Sequence, residues 1–224
     1  MTFEEYRKTF ENFSKIDTPE KLAICEQQYR SYIRALESNN FFEPLEEKLD
    51  ENDIISKYTN NLYSILNFKR ITPGQVLFLI QPSFEPESLL KIEKLDDSYT
   101  LIRLALEENY WYRFYRNNSV STARMKQTRA NFPKDIGDKL FILIDQCMNE
   151  AKKPDSGFWV LDGVKYKLSK IIGERRMDIF KHSPDENSKT GKIIKLLETV
   201  AEFTDDNPTI ERDKAIESLW KLMQ

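Results

Sequence analysis

Apolar residues return at three- and four-residue steps through the first third of the chain, the spacing that gathers them on one face of a helix. Phe3, Tyr6, Phe10 and Phe13 make one such stripe. Leu22, Cys25, Tyr29, Tyr32 and Leu36 make a second, opened by Thr18 as cap, Pro19 at the first helical position and Glu20 behind it. Asn39, Asn40 and Pro44 interrupt the pattern, and Ile54, Ile55, Tyr58, Leu62, Ile65 and Leu66 define a further helix beginning at Asn52 or Asp53. At Thr72-Pro73-Gly74 the period shortens to that of extended chain. Val76 to Ile80 is apolar on both faces and reads as a central strand, closed by Pro82 and Pro86, which bring no ladder donors. Leu90 and Ile92 alternate with Lys91 and Glu93, Asp96-Asp97-Ser98 turns the chain, and Ile102, Leu104 and Leu106 run back as an antiparallel partner. Tyr110 to Tyr115 and Val120 to Thr128 read as further strands, separated by Asn117-Asn118.

Pro133 opens a helix in which Ile136, Leu140, Ile144 and Cys147 share a face, ending near Lys153-Pro154. Phe158 to Leu161 and Val164 to Leu168 then flank Asp162-Gly163, the pair suited to a two-residue turn with positive φ at both positions. Val164, Tyr166 and Leu168 alternate with Lys165, Lys167 and Ser169, which predicts one buried face and one wet face. Gly173 breaks this strand, and Met177 to Phe180 adds another. Two helices close the chain, one from Ser183 through Phe203 and one from Pro208 to Met223. Adjacent strands with tight turns, and helices placed before, between and after them, predict an α+β fold: an antiparallel sheet with an N-terminal helical segment and flanking helices. Residues 1–71 form the helical segment and 72–224 the antiparallel domain. The linker at Thr72 is too short for independent motion, so the two make one compact unit.

Composition narrows the function. In 224 residues, 40% are hydrophobic and 32% charged, enough to bury a core unaided. The longest apolar runs, Val76 to Ile80 and Leu140 to Ile144, fall far short of a membrane span, and Glu4, Glu5, Arg7, Lys8 and Glu11 occupy the place of a secretory signal, so a cytoplasmic address is expected. Cys25 and Cys147 sit at helical spacing among apolar residues, which predicts reduced core thiols and no zinc site. A net charge of −3 supplies no overall field toward nucleic acid.

Pro82-Ser83-Phe84-Glu85-Pro86-Glu87 leading into an amphipathic strand, and Leu161-Asp162-Gly163-Val164-Lys165-Tyr166 followed by a short strand and a Ser-Pro helix start, resemble features of uncharacterised bacterial α+β proteins. The likeness spans residues 76–200. Short features of this kind are also similar to those of small immunity-type proteins, which block a cognate toxin by binding it. The resemblance implies protein binding and no catalytic residue.

Charge patterning supplies the candidate sites. The interval from Asn109 to Lys134 contains Arg113, Arg116, Arg124, Lys126, Arg129 and Lys134 and no acid, and it opens with Tyr110, Trp111, Tyr112, Phe114 and Tyr115. Rings interleaved with arginines suit a surface that stacks bases and neutralises phosphates, or a protein interface. In a strand, the same pattern would place rings inward and arginines outward. From Glu37 to Asp53, seven acids stand against Lys48 alone, a local charge of −6 that either covers the basic stretch or leaves both free for partners. His182 is the only histidine and would have to carry any histidine-dependent hydrolysis, but Ser183-Pro184-Asp185-Glu186 beside it reads as a capping box. Thr190-Gly191-Lys192 has the order of a phosphate-loop end, yet the first glycine would fall on Glu186 and the magnesium-binding hydroxyl on Ile193. No cofactor or metal motif remains. The leading expectation is a non-enzymatic protein-binding module of immunity or regulatory type, its contact surface formed by Trp111, Tyr112, Arg113, Tyr115, Arg116, Arg124 and Lys126. A nucleic-acid-binding protein using residues 109–134 and a hydrolase centred on His182 are the alternatives.

Overall fold

The computed structural model of the chain describes residues 1–11, 15–47, 49–117, 123–154 and 163–205. These contain the strands β1 (Glu43–Pro44), β2 (Gln75–Pro82), β3 (Ser88–Lys94), β4 (Tyr99–Leu106), β5 (Met125–Phe132), β6 (Val164–Ile172) and β7 (Arg175–His182). Their helices are α1 (Phe3–Glu11), α2 (Pro19–Ser38), α3 (Ile54–Ile65), α4 (Tyr110–Asn117), α5 (Lys134–Glu150) and α6 (Lys189–Glu202). The strands form one sheet in the order β1-β7-β6-β2-β3-β4-β5, with every neighbouring pair antiparallel. The fold is α+β.

The doubly apolar run Val76 to Ile80 lies in β2, at the centre of that order, because both of its faces are covered. Val76 and Phe78 join Leu90, Ile92, Leu101, Leu168 and Ile179 in a core roofed by Ile136, Leu140 and Ile144 of α5 and by Ile193, Ile194 and Leu197 of α6. Leu77 and Leu79 point the other way, into a second core with Leu89, Tyr58 and Leu62 of α3, and Tyr110 and Phe114 of α4. The result is three layers, helix pair on sheet on helix pair.

The caps at Thr18 and Asp53 form, accepting from the backbone N–H groups of Lys21 and Ser56. Helix α1 buries no residue and leans on α2 through rings, with Phe3 at 5.2 Å and Tyr6 at 5.4 Å from the Tyr29 centroid. The far end of α2 is tied into the body, since Lys181 Nζ donates to the Ser38 carbonyl at 2.7 Å and the Thr190 hydroxyl to that of Asn39. Cys25 and Cys147 are both buried and unbridged, and burial pushes the Cys147 thiol up to about 12.

Several elements differ from the sequence reading. Tyr110 to Tyr115 is helical, not extended, and the following strand is β5, beginning at Met125. The Phe158 to Asp162 half of the expected hairpin and the Pro208 to Met223 helix lie outside the described residues. Strand β6 pairs with β2 and, across Gly173-Glu174, with β7, where Gly173 supplies a positive φ of 61°. The supposed wet face of β6 is covered: Lys167 and Ser169 are buried. The last described helix starts at Lys189 with Ser188 as its cap, not at Ser183. Ser183 is spent on closing the β6–β7 pair: its hydroxyl accepts from Val164 N at 3.0 Å and its own N–H donates to the Val164 carbonyl at 2.9 Å.

Candidate functional site

Helix α4 is held by a carboxylate that is not on it. Glu87, immediately before β3 and 0% exposed, accepts from the backbone N–H of Tyr110 at 2.8 Å and of Trp111 at 3.3 Å, and from the Tyr58 hydroxyl at 2.5 Å. It fills the place of an N-terminal cap from across the fold, where orphan amides and the positive end of the helix dipole favour an anion. Burial pushes its carboxyl above the ordinary value, and the hydrogen bonds pull the other way without overcoming it. Asn109 adds a local cap: its oxygen accepts from Tyr112 N at 3.0 Å, and its amide donates to the Glu85 carbonyl at 2.7 Å. The β2–β3 turn is thereby fastened to α4.

Once the segment is a helix, about 100° of rotation per residue decides what faces out. Tyr110 and Phe114 point into the core. Trp111 sits on the flank, its ring edge-on to Tyr58 at 5.0 Å and 5.9 Å from Tyr115. Tyr112 is 43% and Tyr115 65% exposed, and Arg116 is exposed beside them. Of the residues expected to meet a partner, α4 thus assembles Trp111, Tyr112, Tyr115 and Arg116. Arg113 turns back to pair with Glu108. Arg124 is exposed just ahead of β5. Lys126 is exposed too, but it stands opposite Ala105 in the register and so points to the α5–α6 side, away from α4. Arg129, one pleat out of step with Lys126, points to the opposite face. The basic interval therefore does not present one continuous cationic surface.

Two residues outside that interval complete the patch. Phe84, in the β2–β3 turn, is 66% exposed, and Ile55, in the first turn of α3, is 61% exposed. With Trp111 and Tyr112 they wall a groove of about 370 Å³ whose floor is Gln81 of β2, Lys165 and Lys167 of β6 and His182 of β7. Both walls had a signal in the sequence. An aromatic held between Pro82 and Pro86 cannot fold back into a strand core, and of two successive isoleucines at a helix start at most one can face inward.

The floor is electrostatically unusual. Lys167, 1% exposed, donates to Glu47 at 2.5 Å and to the Tyr63 hydroxyl, which itself donates to the other Glu47 oxygen at 2.5 Å. Burial and the neighbouring Lys165 bring the Lys167 ammonium down to about 8, with Glu47 opposing them. Burial alone would raise the Glu47 carboxyl, but the Lys167 charge and hydrogen bond hold it below its ordinary value. His182 is also lowered, first by burial and then by Lys165. Its ring makes no hydrogen bond to a described residue, so none of these supplies the partner that a nucleophilic or acid–base site would need.

The ion pairs of the acidic stretch run to lysines of the sheet and of the segment after α5. Glu43 pairs with Lys181 at 2.9 Å, Glu46 with Lys153 at 2.7 Å and Glu47 with Lys167. On α4, Arg116 is left exposed. A larger hollow of about 730 Å³ lies between the start of β6 and α6, but its lining sets Glu186 and Glu198 against Lys192 and Lys195, so opposite charges compensate within it. Among the described residues no three His, Cys, Asp or Glu side chains converge as a metal ion requires, and no helix is long and apolar enough to cross a membrane.

Fold and site together define an antiparallel α+β protein with an aromatic-walled surface groove. Comparison with protein-family models, with curated proteins and with solved structures returned no match.

Proposed function

We propose that the chain is a cytoplasmic protein-binding module that acts by occupying a partner, not by catalysis, and that the outer face of α4 is its contact surface. One observation carries this reading. Ile55, Phe84, Tyr112 and Tyr115 come from three separate elements, and all are exposed around or beside one groove, with Trp111 half-buried among them. Exposed rings gathered in this way are costly in water and are the residue types that dominate interface energetics when covered. An immunity-type or regulatory role is the form of activity that fits such a surface.

The test is affinity capture from the source cells with the parent protein and with the double variant Tyr112→Ala/Tyr115→Ala, both positions being too exposed to hold the fold. A species retained by the parent and lost by the variant is the expected result. Identical captures from both proteins would overturn the assignment of this face. The alternative of nucleic-acid binding gains no support from the geometry, because Lys126 and Arg129 point to opposite faces of β5.

A further inference from the structure

On the reading that this face binds a protein, the groove also indicates the chemistry of the segment that enters it. Its described lining includes two lysines and no carboxylate. Glu47 is shared between them, at 2.5 Å from Lys167 and 3.7 Å from Lys165. One carboxylate therefore answers two ammonium groups. The buried Lys167 takes the closer bond, which leaves Lys165, with 37% of its side chain exposed, as the surplus positive charge facing the groove. Its ammonium lies over the Phe180 ring at 5.1 Å, which directs it. Arg116 adds a second exposed cation on the neighbouring helix.

A different kind of group is unmet beside Lys165. The Gln81 side-chain oxygen is buried and has no hydrogen-bond partner among the described residues. An acceptor in that condition is costly unless a donor reaches it, and the N–H of an extended backbone is such a donor. The walls, Phe84 and Trp111, are apolar and aromatic, and about 370 Å³ accommodates an anchoring side chain but not a folded element.

We infer that the groove takes an acidic peptide segment of the partner, in which an aromatic or large aliphatic side chain enters between Phe84 and Trp111 and a flanking Asp or Glu reaches Lys165. Charge, shape and the unmet acceptor are complementary to that occupant together, whereas a basic segment would meet like charge at the floor.

His182 lies on the floor and is the only histidine of the chain, so its ring signals in an NMR spectrum of the full-length protein report on this site alone. The probes are two short synthetic peptides, one alternating Glu with Phe and Leu, the other carrying Lys in place of each Glu. The Glu peptide is expected to move the His182 signals saturably and the Lys peptide to leave them in place. Lys165→Glu is expected to weaken the Glu peptide by roughly tenfold or more, with Lys165→Gln giving a smaller loss and guarding against misfolding. Equal response to both peptides, or no response to either, overturns the inference. Partner capture that survives Lys165→Glu but is lost in Tyr112→Ala/Tyr115→Ala overturns it as well, and leaves the α4 interface standing.

Discussion

Lys167 shows how far a residue's environment can depart from its pattern. Alternation along Val164 to Ser169 describes a strand with one wet face, and nothing local contradicts it. Burial comes from Glu47 and Tyr63, 120 and 104 residues away in the chain, which close over the ammonium and supply its hydrogen bonds. Removing the acid leaves a buried charge uncompensated, whereas removing the lysine leaves an acid that reaches Lys165 and solvent. Glu47→Gln should therefore cost about 3 kcal/mol in urea unfolding, and Lys167→Met should be close to neutral. The reverse order would show that the pair is not desolvated in solution. Glu87 was equally illegible, since an acid after a proline turn reads as surface. Its carboxyl stands above the ordinary 4.5 because it is buried. A native state that holds a proton more firmly than the unfolded chain is most favoured in acid and loses that advantage as pH rises through the elevated value. Measured by melting temperature, wild type should lose ground to Glu87→Gln as pH is raised from 4.5 toward neutrality. Glu87→Ala, which strands two amides and the Tyr58 hydroxyl, should lose about 2–3 kcal/mol at pH 4.5, and that deficit should narrow as the pH is raised.

Among the elements, those with a clear period and their own punctuation were legible: β2, the β3–β4 hairpin around Asp96 to Ser98, and α5 with its inward Ile136, Leu140 and Ile144. Helix α4 was not. Tyr, Trp and Phe carry strand preference, and the segment is short enough that two inward rings four residues apart leave the period ambiguous. Asn109 offered a local cap, but the carboxylate that holds the first amides of the helix comes from Glu87. The same tertiary control places α5 against the sheet. A Cβ on Gly137 would lie 2.2 Å from the Tyr99 ring, so that helix approaches the sheet as closely as it does because the position is glycine. Gly137→Ala gains about 1 kcal/mol of helix propensity yet should destabilise overall by about 1–2 kcal/mol through overpacking, checked by equilibrium unfolding. A stabilised variant would mean that α5 sits farther out.

At the scale of the whole molecule, the distribution of charge follows from which elements meet. The acids of 37–53 pair with Lys153 and with lysines of β6 and β7, while on α4 Arg113 is held by Glu108 and Arg116 stays exposed. The sequence displayed both charged stretches but not their pairing, which depends on β1 joining the sheet edge beside β7. Of the contact surface, the sequence revealed the α4 residues; Phe84 and Ile55 carried a local sign of exposure, and topology brings them and Lys165 to α4. Whether this face and not another meets a partner protein is read out by photo-crosslinking in the source cells. A photoreactive phenylalanine analogue replaces Tyr112 in one protein and Ile142 in another. Ile142 is 57% exposed on α5, across the sheet. A discrete protein adduct from position 112, absent from position 142, is the predicted result. Adducts from 142 alone, or the same adducts from both, would mean that the α4 face is not the interface.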